Sequence, residues 1–237
     1  MRRLKDKVAV ITGGSKGIGK AIAAALGREG CRVVITARNE IELKKTADEL
    51  SGLDIEVLSV KTDVRKSQDV QQLVLQTENT FGPTQILVNN AGIGRFGEVE
   101  NLSEEDFRAT LETNLFGVFY CTRGFLPGMI SKKEGHIVNI SSLAGKNSFA
   151  GGAAYCASKH GLISFAECLM LEVRHHNIKV STICPGSVQT EFSAGSMEKN
   201  WALSPEDVAK AVVDVVTSSS GSLASLVDLR PLHPPKK

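Results

Sequence analysis

Thr12-Gly13-Gly14-Ser15-Lys16-Gly17-Ile18-Gly19 is the stretch on which the reading of this chain turns. It follows the apolar run Val8-Ala9-Val10-Ile11 and opens a helical pattern over 18–29. Glycines between a strand and a helix permit a tight turn. They also let backbone N–H groups approach a pyrophosphate held on the positive end of the helix. The spacing, G-x-x-x-G-x-G, differs from the G-x-G-x-x-G of the general dinucleotide fingerprint. A G-x-x-x-x-G-K-[ST] phosphate loop is excluded, because Lys16 precedes its glycine.

Outward from this loop, short β-rich runs alternate with longer helical patterns. The runs are 8–12, 32–37, 55–60, 86–89, 136–140, 179–184 and 225–229; the helical stretches are 18–29, 40–51, 67–81, 104–131, 153–175 and 205–217. Near-continuous Val, Ile and Leu in the runs is the mark of parallel strands covered on both faces. Ser103-Glu104-Glu105-Asp106 and Ser204-Pro205-Glu206-Asp207 read as helix starts, each with a capping serine and an acidic first turn. Repeated β-α-β spacing predicts an α/β fold, a Rossmann-type doubly wound, seven-stranded parallel sheet with helices on both faces. Domains usually take roughly 100–200 residues, and α/β folds often use more. With no internal repeat and no low-complexity linker, the 237 residues read as one domain, 1–237.

Composition removes several classes. No apolar run reaches the roughly 18 residues of a spanning helix, so no membrane is expected as partner. The opening Met1-Arg2-Arg3-Leu4 enters a strand rather than a cleavable signal, and a cytoplasmic location is expected. A net charge of +2 without a long basic run argues against nucleic acid. Cys31, Cys121, Cys156, Cys168 and Cys184 are odd in number and lack a C-x-x-C pair, which suits buried thiols in a reducing compartment. No metal site is expected.

The second strand ends Ile35-Thr36-Ala37-Arg38-Asn39, without the acid that grips ribose hydroxyls in NAD-specific folds. Arg38 and Lys16 read either as solvated surface charges or as partners of a 2′-phosphate. The missing acid favours the second, hence NADP(H). Farther on, Tyr155-Cys156-Ala157-Ser158-Lys159 places a phenol and an ammonium one helical turn apart on one face. A nearby cation is expected to lower the phenol pKa from about 10 towards working pH. Asn139-Ile140-Ser141-Ser142 closes the fifth strand, putting hydroxyls where the crevice of an open α/β sheet lies. Each signal alone is weak.

Together, Thr12–Gly19, Asn89-Asn90-Ala91-Gly92, Asn114, Ser142, Tyr155-x-x-x-Lys159 and Pro185-Gly186 resemble the short-chain dehydrogenase/reductase family in order and spacing, over residue 5 to about 230. The resemblance implies an oxidoreductase that passes a hydride between NADP(H) and a small-molecule carbonyl or alcohol. In it Tyr155 would be the general acid/base, and Ser142 would hydrogen-bond the substrate oxygen. Lys159 would hold the nicotinamide ribose and depress the Tyr155 pKa, while Asn114 would anchor a relay water. Gly13, Ser15, Lys16, Gly17, Ile18 and Gly19 would form the cofactor loop, with Arg38 and Asn39 beside it. Asn90, Ala91 and Gly92 would line the adenosine-side ribose and pyrophosphate, and Asp63 with Val64 would meet adenine. Pro185, Gly186, Val188 and Thr190 would meet the carboxamide and phosphates. Taken singly, Asn89 and Asn90 read equally as strand-end caps, Asn114 as a helix-backbone partner and Asp63 as a helix cap.

The interior resembles 3-oxoacyl-(acyl-carrier-protein) reductases, but the tail differs. Only about 18 residues, 187–204, form the lid, and the end reads Val227-Asp228-Leu229-Arg230-Pro231. Both are more similar to the NADP-dependent 3-hydroxy acid (serine) dehydrogenase and sepiapterin-reductase-like branch. Phe192, Met197 and Trp201 are the apolar lid side chains, Trp201 either closing on substrate or packing the lid down. Phe107, Leu111, Leu115 and Phe119, with Leu162, Phe165, Leu169 and Leu171, exceed what one sheet face consumes, so a homodimer or homotetramer is expected. A non-catalytic dinucleotide sensor is the alternative from another class, disfavoured by the intact Ser142, Tyr155 and Lys159 set.

Overall fold

Because the central strands are covered on both faces, their side chains must be apolar at successive positions, and the first strand is buried along its whole length. The computed structural model describes residues 3–192 and 200–234. It contains seven strands: β1 (Val8–Thr12), β2 (Arg32–Ala37), β3 (Val57–Lys61), β4 (Ile86–Asn89), β5 (Gly135–Ile140), β6 (Ile178–Pro185) and β7 (Leu226–Leu229). They form one parallel sheet in the order β3-β2-β1-β4-β5-β6-β7. The strand order reverses between β1 and β4, and the crevice at the carboxyl ends of these strands is where open α/β sheets bind ligands.

Seven α-helices flank the sheet: α1 (Gly17–Arg28), α2 (Glu40–Ser51), α3 (Ser67–Phe81), α4 (Glu104–Leu111), α5 (Gly117–Lys132), α6 (Ala153–Val173) and α7 (Pro205–Val216). The pleat divides the apolar residues between two cores. Ala9, Ile11, Val33 and Val88 meet α1, α2 and α7 through Ile22, Leu26, Leu43, Leu50, Val208 and Val212. Val8, Val10, Leu87 and Ile137 meet α3, α5 and α6 through Leu73, Phe125, Met129, Leu169 and Val173. Both expected serine caps form. Ser103 Oγ accepts from Asp106 N at 3.0 Å, and Ser204 exchanges bonds with Asp207 in a capping box.

Four expectations need correction. Ile55 stands ahead of β3: Asp54 has a left-handed φ of 58°, and the Ile55 N–H closes α2 on Leu50 O at 3.3 Å, so ladder pairing begins at Val57. The helical stretch over 104–131 is interrupted by a π-helical turn, Glu112–Phe116. Leu162 and Leu169 are buried in the fold rather than displayed, leaving Phe107, Phe116, Phe119 and Leu171 exposed. Cys168 is exposed, whereas the other four cysteines are buried. None of the described helices is long and apolar enough to cross a membrane.

Candidate active site

The glycine loop is built by close approach. Gly13 and Gly17 have φ of +64° and +52°, a region L side chains avoid. A Cβ on Gly19 would lie 2.1 Å from Gly13 O, so only glycine lets α1 start this near the turn. Thr12 locks the loop to the end of β4, its Oγ1 accepting from Asn90 N and Ala91 N, both at 3.0 Å. Asn90 returns the contact, with Nδ2 donating to Thr12 O at 2.9 Å and Gly13 O at 3.1 Å. Its side chain is thus a clamp between β1 and β4. Thr12 belongs to this machinery although sequence reasoning assigns it no role; its place ahead of Gly13 is the available signal.

A cleft of about 1340 Å³ runs from this loop along the carboxyl ends of the strands. Its lining brings together most of the residues the sequence singles out. Gly13, Ser15, Lys16, Gly17, Ile18, Gly19, Arg38, Asn39, Asp63 and Val64 lie in it with Asn90, Ala91 and Gly92. So do Ser142, Tyr155, Lys159, Pro185, Gly186, Val188 and Thr190. Arg38 is exposed at the cleft. Lys16 is exposed too, and its Nζ pairs with Glu191 of the lid at 2.9 Å, a partner the sequence does not disclose. The Asn39 side chain is partly engaged as the cap of α2, accepting from Ile41 N and Glu42 N at 3.1 and 3.3 Å. Asp63 accepts from the Arg65 guanidinium at 2.6 Å, which holds its carboxyl below the ordinary range.

Asn114 lies on the π-helical turn, fully buried. Its Oδ1 accepts from Ile93 N at 2.8 Å, and Nδ2 donates to Ile93 O at 2.9 Å and to Ser158 Oγ at 3.0 Å. It joins the loop after β4 to the second turn of α6, where Ser158 donates to Tyr155 O at 2.7 Å. Both amide hydrogens are used, and one acceptor lone pair of Oδ1 remains.

At the far end of the cleft, Ser142 stands just past β5 and its Oγ accepts from Ala144 N at 3.1 Å. The Ser142 hydroxyl donates to Pro185 O at 3.5 Å. Lys159 is buried and donates to Ile140 O at 2.9 Å. Its ammonium is 5.8 Å from the Tyr155 ring centroid. Burial pushes Lys159 down to about 8. Burial also pushes the Tyr155 phenol up to about 12, against the neighbouring Ser142 hydroxyl, which pulls it down. Burial is the dominant influence on the phenol, and the Lys159 Nζ is engaged by Ile140 O. Tyr155 therefore keeps its proton at neutral pH.

The segment after β6 is pinned at its base. Val188 bridges Leu203, with Gln189 N donating to Leu203 O at 2.8 Å and Leu203 N to Ser187 O at 2.9 Å. Phe192 packs on the Tyr155 ring with centroids 5.7 Å apart, Trp201 is half-buried, and Met197 lies outside the described residues. The distinctive tail has structural duties. Asp228 pairs with Lys146 at 2.8 Å, and Gly186 leaves room for Pro231, whose Cδ would be 2.8 Å from a Cβ there.

Comparison with known proteins agrees with this geometry. A family model described as short chain dehydrogenase matches residues 7–201. A putative ketoacyl reductase of Streptomyces coelicolor is 39% identical over 207 residues, covering 85% of this chain and 79% of that one. The crystal structure of a metagenomic short-chain oxidoreductase in complex with NADP is 37% identical with a TM-score of 0.87, covering 98% of this chain and 100% of that one. An actinorhodin polyketide ketoreductase variant with NADPH is 33% identical with a TM-score of 0.90, covering 95% and 96%. With this match, this sheet and this cleft, the chain belongs to the short chain dehydrogenase family of oxidoreductases.

Proposed function

We propose that the protein is an NADPH-dependent carbonyl reductase, acting reversibly on a ketone, aldehyde or 3-oxoacyl compound to give the alcohol. One observation carries the reading: Ser142, Tyr155 and Lys159 stand at one end of a continuous cleft whose other end is the glycine loop and Arg38. The residues fit a dinucleotide. The loop is a cradle that a Cβ at Gly19 would fill. The Thr36 and Thr113 hydroxyls, both buried and both in the lining, find no partner among the described residues. Gly13, Ser15, Gly17, Ile18 and Gly19 would hold the pyrophosphate, and Lys16 and Arg38 the 2′-phosphate. Asp63 and Val64 would meet adenine, and Lys159 the nicotinamide ribose, with Asn90 to Gly92 and Pro185 to Thr190 along its length.

When bound, NADPH supplies the hydride that a substrate carbonyl carbon accepts. Ser142 hydrogen-bonds the carbonyl oxygen and polarises it. Tyr155, protonated at neutral pH, donates its hydroxyl proton to that oxygen as negative charge develops, so carbonyl becomes alcohol and phenol becomes phenolate. Lys159 stabilises the phenolate electrostatically, and Asn114 keeps α6 in register with the loop after β4 and offers an acceptor for a relay water. The ketoacyl and polyketide ketoreductase activities named for the relatives support the class. The short lid and the tail keep a 3-hydroxy acid or serine-type dehydrogenase as a second reading of the direction. The intact proton donor disfavours a non-catalytic sensor.

On this reading the single domain 1–237, with its lid over 187–204, works on a small molecule in the cytoplasm, without nucleic acid or membrane. The exposed Phe107, Phe116, Phe119 and Leu171 support a homodimer or homotetramer, which light scattering during size-exclusion chromatography would test. The test of function is NADPH consumption with a panel of ketones, 3-oxo acids, acyl thioesters and pterins. Binding of NADPH without turnover of any carbonyl would favour the sensor instead.

A further inference from the structure

Three aromatic side chains outside the core, from three separate loops, form a wall of which two members pack on Tyr155. Phe96 follows β4, Phe149 follows β5 and Phe192 follows β6. Phe96 meets the Tyr155 ring edge-on, with centroids 5.5 Å apart and planes at 66°. Phe192 meets it at 5.7 Å, and Phe149 extends the wall from Phe96 at 6.0 Å. All three remain open to solvent, at 46%, 50% and 42% exposure for Phe96, Phe149 and Phe192. One exposed phenylalanine is ordinary, but three gathered around the one phenol that would transfer a proton form a recognition surface.

The backbone is arranged to allow it. A Cβ on Gly94 would lie 2.6 Å from Phe96 Cζ and 2.9 Å from Phe192 Cε1, and one on Gly152 would lie 2.7 Å from Phe149. Gly97 N donates to Gly151 O at 2.9 Å, tying the first two loops together. Among the described residues, the cations nearest in sequence to Phe96 and Phe149 are paired. Arg95 is on Asp106 at 3.4 Å, and Lys146 is on Asp228 at 2.8 Å. A carboxylate or a phosphate-bearing carrier arm thus meets rings here, with the neighbouring cations committed elsewhere.

We propose that this wall selects carbonyl compounds bearing a flat, uncharged aryl group next to the reacting carbon. The ring would stack edge-to-face or offset on Phe96 and Phe192 while the carbonyl oxygen reaches Ser142 and Tyr155. The inference rests on the carbonyl-reductase reading and gives it a substrate class.

Steady-state reduction with NADPH tests it, using 1-phenyl-1,2-propanedione, 2,3-butanedione, acetoacetate and an acetoacetyl N-acetylcysteamine thioester. The phenyl diketone is expected to exceed butanedione and both acetoacetyl compounds in kcat/KM by about tenfold or more. Phe96→Ala should collapse that ratio by about tenfold, chiefly through KM, while Phe96→Tyr keeps it. Leu75→Ala, an exposed apolar truncation on α3, should leave the ratio as it is. A parent enzyme that prefers the thioester or acetoacetate, or a ratio that ignores Phe96→Ala in a folded variant, would overturn the aryl proposal and leave the reductase standing. Failure to reduce any of the four, with NADPH binding seen by fluorescence, would remove both.

Discussion

Lys159 is where the proposed chemistry and the stability of the fold pull apart. The side chain is 5% exposed, and burial lowers its pKa from 10.5 to about 8. Between these values the unfolded chain holds a proton that the folded chain has lost, so stability contributed at this site rises with pH across the window. At neutral pH both states are charged and the fold carries the full cost of desolvating the ammonium, about 3 kcal/mol at 1.36 kcal/mol per pH unit. Lys159→Met fills similar volume without that charge, but strips Ile140 O of its donor, a loss of about 1–2 kcal/mol. The variant should therefore be as stable as the parent or more so near pH 7, by up to about 2 kcal/mol, while carbonyl reduction is lost. The sharper test is the pH dependence. From about pH 7 to about pH 9.5 the parent should gain about 2 kcal/mol on the Met variant, because only the parent sheds this proton. Urea unfolding of both proteins across that range measures the difference. Parallel curves, differing by a constant within error, would show that the ammonium is not desolvated and that Lys159 costs the fold nothing.

Tyr155→Phe keeps the ring on Phe96 and Phe192 and removes the proton donor; turnover should drop by about 10²–10⁴ with NADPH binding retained, checked by fluorescence titration beside kinetics. Arg38→Ala should weaken NADPH by about tenfold or more and leave NADH nearly unaffected, whereas Ala37→Asp should shift kcat/KM towards NADH; an equal loss for both cofactors would make Arg38 an ordinary surface charge. Buried His136, bonded to Ser181 Oγ at 2.8 Å, is pushed down to about 4 by desolvation. Its unfolded form takes a proton from about pH 6.5 downward while the folded form does not, so about 3 kcal/mol of stability should vanish as pH falls from 6.5 towards 4, and His136→Gln should flatten that acid limb in thermal melts. Ser204→Ala should cost about 1 kcal/mol by opening the capping box of α7, read as a lower urea midpoint.

What the sequence discloses, and what it withholds, divides along the range of the interactions. Parallel strands buried on both faces advertise themselves as unbroken apolar runs, so β1, β2 and β4 have the expected bounds. The glycine loop is equally local, since its constraints act within a few residues. Ile55 misleads because an apolar, β-branched residue also suits a plug, here packed against Gly27 of α1. The aromatic wall is half visible. Phe192 lies in the expected lid, but Phe96 reaches Tyr155, and Phe149 reaches Phe96, through loops whose course no periodicity encodes. The Lys16–Glu191 pair spans 175 residues and is likewise out of reach. Charge states suffer most. Spacing places Lys159 one turn from Tyr155, but only the fold brings Ile140 O to the ammonium and buries both groups.

The π-helical turn at Asn114 ties these threads together. Apolar spacing through 104–131 continues without a break, so a regular helix is the natural reading, yet a π turn inserts one residue and rotates α5 relative to α4. Its poorer backbone geometry is tolerated because the gain lies elsewhere. Asn114, aimed inward, makes three hydrogen bonds that join the loop after β4 to Ser158, and Ser158 holds the carbonyl of Tyr155. Gly92 lies in the same knot, with room for a Cβ limited to 3.3 Å from Asn114 Oδ1 and 3.7 Å from Lys159 Nζ. One irregular turn thus sets the position of the proposed proton donor, its ammonium neighbour and the loop bearing Phe96. Irregular backbone at this point is a positioning device, and its side chain is polar and wholly buried because three of its four hydrogen-bonding positions hold partners in two different elements.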